Sequence, residues 1–71
     1  MTGPQYEWER VAGAIEADIR AGRLPKGARL PGERELAELH GCAVGTARRA
    51  VRALREREKV VTLPAKGTYV L

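Results

Sequence analysis

A single glycine, Gly41, parts two short amphipathic stretches. In "ERELAELHGCAVGTARRAVRAL", residues 33 to 54, Leu36, Ala37 and Leu39 recur at helical spacing before it, and Ala47, Ala50, Val51 and Leu54 recur after it. Glycine enters the left-handed conformation without a Cβ clash, so Gly41 can end the first stretch abruptly. The sequence therefore predicts a short helix over Glu33–Leu39, a tight turn, and a further helix. That helix opens around residue 43 and is regular from Thr46 to about Glu58. The positions that should cap it and open it with a polar side chain hold Ala43 and Val44. Thr46 stands equally well as a replacement cap or as a donor to a phosphate.

The flanks complete the arrangement. From Tyr6 to about Ala21, the residues Trp8, Val11, Ala12, Ile15 and Ile19 fall on one face of a helix, and Gly22 stops it. Leu24 to Gly27 is a turn, and Ala28 to Leu30 is a very short strand before Pro31. Two extended runs, Val60–Leu63 and Thr68–Leu71, joined by Pro64, Ala65, Lys66 and Gly67, read as a hairpin. Residues 1–5 are expected to fray. These are the parts of a small α+β winged helix-turn-helix, three helices followed by a two-stranded β-hairpin wing. In that arrangement the third helix, residues 43–58, enters the major groove, and the wing tip, residues 64–67, lies near the backbone or minor groove.

Size and charge narrow the function. A chain of 71 residues buries one modest core, so 1–71 is expected to be one domain with no effector-binding part. An enzyme with its own enclosed pocket is improbable, because no acid, base and nucleophile set stands out. His40 is the sole histidine and Cys42 the sole cysteine, which argues against a metal site and any cofactor held by one. His40 ends the second helix, and Cys42 is expected to be a small buried hydrophobe. No long apolar run suggests a membrane span, and the cysteine usage suits the cytoplasm. Residues 1–40 carry a net charge of −1, whereas residues 41–71 carry +5. That asymmetry favours a polyanionic partner, since arginines on a phosphate backbone release counterions.

The run "RLPKGARLPGERELAELHGCAVGTARRAVRALRE", with the later "KGTYV", resembles the N-terminal DNA-binding domain of GntR-type bacterial transcription regulators. The resemblance spans roughly residues 6 to 70 in four blocks that keep their order and spacing. It implies sequence-specific binding of double-stranded DNA. Arg34 takes the place of an arginine near DNA, Arg48 that of a base reader, and Lys66 with Gly67 that of the basic wing tip. Several positions depart from the family pattern. Gly32 and Ala43 replace serines, and the loss at 43 is expected to cost about 0.5–2 kcal/mol of helix stability. Val44 replaces an arginine, and Arg49 replaces a common glutamate. Glu58 and Ala65 replace glycines, so a positive φ at 65 would be strained.

The expected DNA-binding residues are thus Arg34, Thr46, Arg48, Arg49, Arg52, Lys66 and Gly67, with Arg48 near base edges and most of the others on phosphates. Two copies on one DNA site are also expected, because a lone domain covers only a half-site. A second class stays open: a free-standing module that binds a protein partner and has weak or no specific affinity for DNA. It would be favoured if acidic side chains neutralised the arginine face, or if Trp8, expected with Tyr6 to anchor the first helix, formed an exposed patch with neighbouring apolar residues. Glu33, Glu35 and Glu38 are the acidic neighbours able to tie up Arg34.

Overall fold

The computed structural model describes residues 6–71; the expected fraying of residues 1–5 lies outside them. Helix α1 spans Glu7–Arg20, α2 spans Glu33–His40 and α3 spans Val44–Glu56, followed by strands β1 (Val60–Leu63) and β2 (Gly67–Val70). The strands pair antiparallel, with Val60 opposite Val70 and Leu63 opposite Gly67. The fold is a winged helix-turn-helix.

The three alanines Ala47, Ala50 and Ala53 on the buried side of α3 leave room for its neighbours to come close. Helices α1 and α2 both pack on α3, and β1 closes over its far end. Ile15, Leu54, Val11 and Val60 are the largest side chains fully removed from water. Burying an aliphatic side chain of this kind contributes about 1.5–3 kcal/mol. The wing joins this core only at its base, through Val60 and Val70.

Residues 28–30, expected as a very short strand, pair with β2 only as an isolated bridge at Arg29. Arg29 bridges Tyr69, the Leu30 amide donates to the Thr68 carbonyl at 2.8 Å, and the Val70 amide donates to the Ala28 carbonyl at 2.9 Å. The inner edge of the wing is thereby paired to the body.

The structure corrects several details. Helix α2 ends on His40, the residue expected at its C-terminus and one beyond the Glu33–Leu39 span, whereas Leu39 is 65% exposed instead of lying in the core. At about 100° per residue, Leu39 sits roughly 110° from the middle of the stripe made by Leu36 and Ala37, while His40 sits nearly at its centre. Helix α3 begins at Val44, two residues before its regular stripe, and ends at Glu56. Ala43 is its cap position, with φ −73 and ψ 154, so Thr46 lies inside the first turn and is not the replacement cap. Strand β2 is Gly67–Val70, one residue earlier than expected. Cys42 is half-buried against the core.

Helices α2 and α3 end by the same device. The Cys42 amide reaches back to the Ala37 carbonyl at 3.0 Å over Gly41, whose φ is 62. Likewise the Lys59 amide reaches the Leu54 carbonyl at 2.9 Å over Glu58, whose φ is 59. Both are Schellman-type closes, but the second places a glutamate where glycine fits without strain.

Candidate nucleic-acid interface

The turn between α2 and α3 fixes how the arginines of α3 are presented. Ala43 offers no side-chain cap, and the first intrahelical bond is the Ala47 amide to the Ala43 carbonyl at 3.1 Å. The amides of Val44, Gly45 and Thr46 are therefore left to water or to a ligand. Val44 packs against the core, as does Cys42. Cys42 and Ala47 stand at the two positions that a hydrophobic staple would use around the cap, one packed against the core and the other within it.

Arg48 is the most constrained cation on this face. Its Nε and Nη2 donate to the two carboxylate oxygens of Glu33, each at 3.1 Å, so α3 and the start of α2 are clamped by a two-pronged ion pair. The carboxylate beside it raises the Arg48 pKa further above its ordinary value, through the hydrogen bonds first and the charge second. Arg49 points elsewhere, its guanidinium lying 4.9 Å from the centre of the Trp8 ring, on which Tyr6 also stacks. Trp8 is half-buried and covered, while Tyr6 is 69% exposed. Arg34, Arg52 and Lys66 are exposed and make no ion pair among the described residues.

Two grooves gather these side chains. Arg34 and Thr46 line a broad, open one at the α2–α3 turn, beside Gly41, Ala43 and Val44. Arg48 and Gly67 line a narrower cleft between the start of α2, α3 and the wing, together with Arg55, Thr62 and Thr68. The wing tip is a turn in which the Lys66 amide donates to the Leu63 carbonyl at 3.0 Å, with Pro64 second and Ala65 third. Ala65 has φ 62, so the strain expected of an alanine there is present. The Tyr69 hydroxyl donates to the Lys66 carbonyl at 3.1 Å and ties the tip down. Gly67, with φ 124, passes over the Arg29 guanidinium so closely that a Cβ there would lie 2.5 Å from its Nε.

Sequence reasoning missed three contributors. Glu33 was expected beside Arg34 and instead holds Arg48, a pairing across the turn that no local spacing announces. Arg29 lies under the wing because the short strand bridges to Tyr69. Arg55 donates from Nη1 to the Thr62 hydroxyl of β1; its place three residues beyond Arg52 marked it only as part of a charged face. Among the described residues, no group of three or more His, Cys, Asp or Glu side chains is placed to hold a metal ion, and no helix is long and apolar enough to cross a membrane.

The family model for bacterial regulatory proteins, gntR family, matches residues 8–70. The HTH-type transcriptional regulator Rv0792c of Mycobacterium tuberculosis is 41% identical over 61 residues, which is 86% of this chain and 23% of that protein. The chain thus spans about a quarter of the length of this relative. Streptococcus agalactiae GntR superposes with a TM-score of 0.79 at 36% identity, over 89% of this chain and 31% of that one. The N-terminal domain of AraR, in a complex with mutant ORR3, superposes with a TM-score of 0.90 at 23% identity, over 99% of this chain and 100% of that one. With its helices, turn and wing all inside the matched span, the chain belongs to the gntR family of bacterial regulatory proteins.

Proposed function

We propose that this domain binds double-stranded DNA in a sequence-specific manner as the reading head of a bacterial transcription regulator. Helix α3 enters the major groove, and the wing tip around Lys66 lies near the backbone or minor groove. The observation that carries this is the Arg48–Glu33 clamp. A guanidinium has five N–H donors, and Glu33 takes one from Nε and one from Nη2. Both donors of Nη1 and the second of Nη2 are left as an outward fork, held in place before any ligand arrives. Such a fork matches the O6 and N7 acceptors of guanine.

The surrounding charges support the same assignment. Arg34, Arg52 and Lys66 are exposed cations free of ion pairs among the described residues, which is the arrangement for phosphates. Arg49 contributes from its seat on Trp8, with its N–H edges open to a phosphate, and Thr46 and the Gly67 backbone complete the set. The Mycobacterium tuberculosis relative named as a transcriptional regulator, and the AraR domain crystallised with mutant ORR3, agree with this role. The protein-partner alternative loses ground because acidic side chains neutralise only one of these cations and Arg49 covers Trp8.

Selection of bound duplexes from a random library tests the proposal. An enriched inverted repeat is expected, its half-sites one helical turn or a multiple apart if two copies bind together. Recovery of no preferred sequence after repeated rounds would overturn sequence-specific reading.

A further inference from the structure

We infer that Arg55, Thr62 and Thr68 form a hydrogen-bonded relay that sets the angle of the wing against α3, making them positioning residues for the wing's contact with DNA. The inference rests on the proposed DNA binding for its functional consequence, and on the free chain for its geometry. A two-stranded hairpin has little stability of its own, so something outside it must hold its direction. The core does so at the base, where the opposed pair Val60 and Val70 is buried, and residues 28–30 pair with β2 as far as Thr68, which leaves β1 beyond its base to be held through side chains. Two residues further along the same faces, the opposed pair is Thr62 and Thr68, with Thr62 exposed. The face that meets α3 therefore changes from apolar at the base to hydroxyl toward the tip.

Arg55 meets that hydroxyl rung. Its Nη1 donates to Thr62 Oγ1 at 2.6 Å, and Thr62 Oγ1 lies 2.9 Å from Thr68 Oγ1. With the guanidinium donating into it, the Thr62 hydroxyl can pass its own hydrogen to Thr68, so a charge on α3 is linked through both strands of the wing. Bonds in such a chain strengthen one another, and the first is charge-assisted. Among the described residues this is the sole side-chain hydrogen bond from α3 to the wing. The same three residues line the cleft that Arg48 shares, so the relay fixes the distance between the base-reading fork and the wing tip.

Thr62→Val separates positioning from charge, because it keeps the side-chain shape and removes only the hydroxyl. In the free chain, amide order parameters by nitrogen-15 relaxation should fall at residues 64–68 while the thermal midpoint stays near that of the wild type, and Thr62→Ser should restore them. On a pool of short random-sequence duplexes, Lys66→Ala should weaken the wild type by about threefold and lower the salt slope by about one. In the Thr62→Val background the same substitution should cost less than about twofold, because the wing no longer delivers Lys66. Unchanged wing order parameters together with an undiminished Lys66→Ala effect would overturn the relay while leaving DNA binding intact. If the wild type binds no duplex, the proposed function fails and the order parameters alone decide the relay.

Discussion

Ala43→Ser should stabilise the domain, because α3 begins without a cap. Ala43 holds the extended φ and ψ of a cap residue, is exposed, and has no side-chain oxygen to offer the amides of Gly45 and Thr46. Serine fits that backbone unchanged, and its hydroxyl reaches one of those amides at no cost in packing. A cap of this kind contributes typically about 1 kcal/mol, within a range of about 0.5–2. For a domain of this size, each kcal/mol moves the thermal midpoint by roughly 4–8 °C. Circular dichroism melts should therefore show the midpoint of Ala43→Ser several degrees above that of the parent, with the native spectrum retained. Ala43→Asp should match or exceed it, since a carboxylate also favours the helix N-terminus by about 0.3–1 kcal/mol. The two variants should part company on DNA, where serine adds a phosphate donor and aspartate adds repulsion. An Ala43→Ser protein melting at or below the parent temperature would show that the first-turn amides are already satisfied, and the account of this turn would be wrong.

Three further outcomes follow from the geometry. Glu58→Gly relieves a left-handed residue with φ 59 and should raise stability in urea by about 0.5–1 kcal/mol, the strain recovered less the added chain entropy. Gly67→Ala, by contrast, puts a Cβ against Arg29 at φ 124 and should lower stability by roughly 1–3 kcal/mol. Glu7 bonds Arg10, which also donates to the His40 carbonyl at 2.9 Å, and this lowers the Glu7 pKa from 4.5. A lowered carboxylate pKa stabilises the fold above the ordinary value and stops doing so as pH falls through the lowered one. Glu7→Gln should accordingly flatten the fall in melting temperature below pH 4.5, with the difference from the wild type shrinking as the acid limb is descended.

Local signals carried the sequence as far as local rules reach. The apolar stripes of α1 and α3, the glycine stop at Gly41 and the turn at Pro64 each act within one or two helical turns or one hairpin, so all were legible. Leu39 misled because α2 has only 8 residues, too few for periodicity to separate a stripe from its edge. The start of α3 was blurred for a related reason: its cap is an alanine and carries no polar mark. The candidate site was legible in residue type but not in arrangement. Arg48 to Glu33, Arg49 to Trp8 and Arg55 to Thr62 are contacts between separate elements, created by the crossing of α3 with α2, α1 and the wing. Only the packed helices decide which of four arginines on one helix is clamped, stacked, tethered or free.

Binding of the chain to duplex DNA across a salt series puts the proposed function at risk in one experiment. If Arg34, Arg49, Arg52 and Lys66 each hold a phosphate, the logarithm of the association constant should fall against the logarithm of salt with a slope of about −3.6. Replacing Arg48 by alanine should leave most of that slope in place while erasing the preference among sequences, if its fork reads bases as proposed. No binding even at low salt, or a slope near zero, would contradict the account and return the arginine face to the role of a solvated surface.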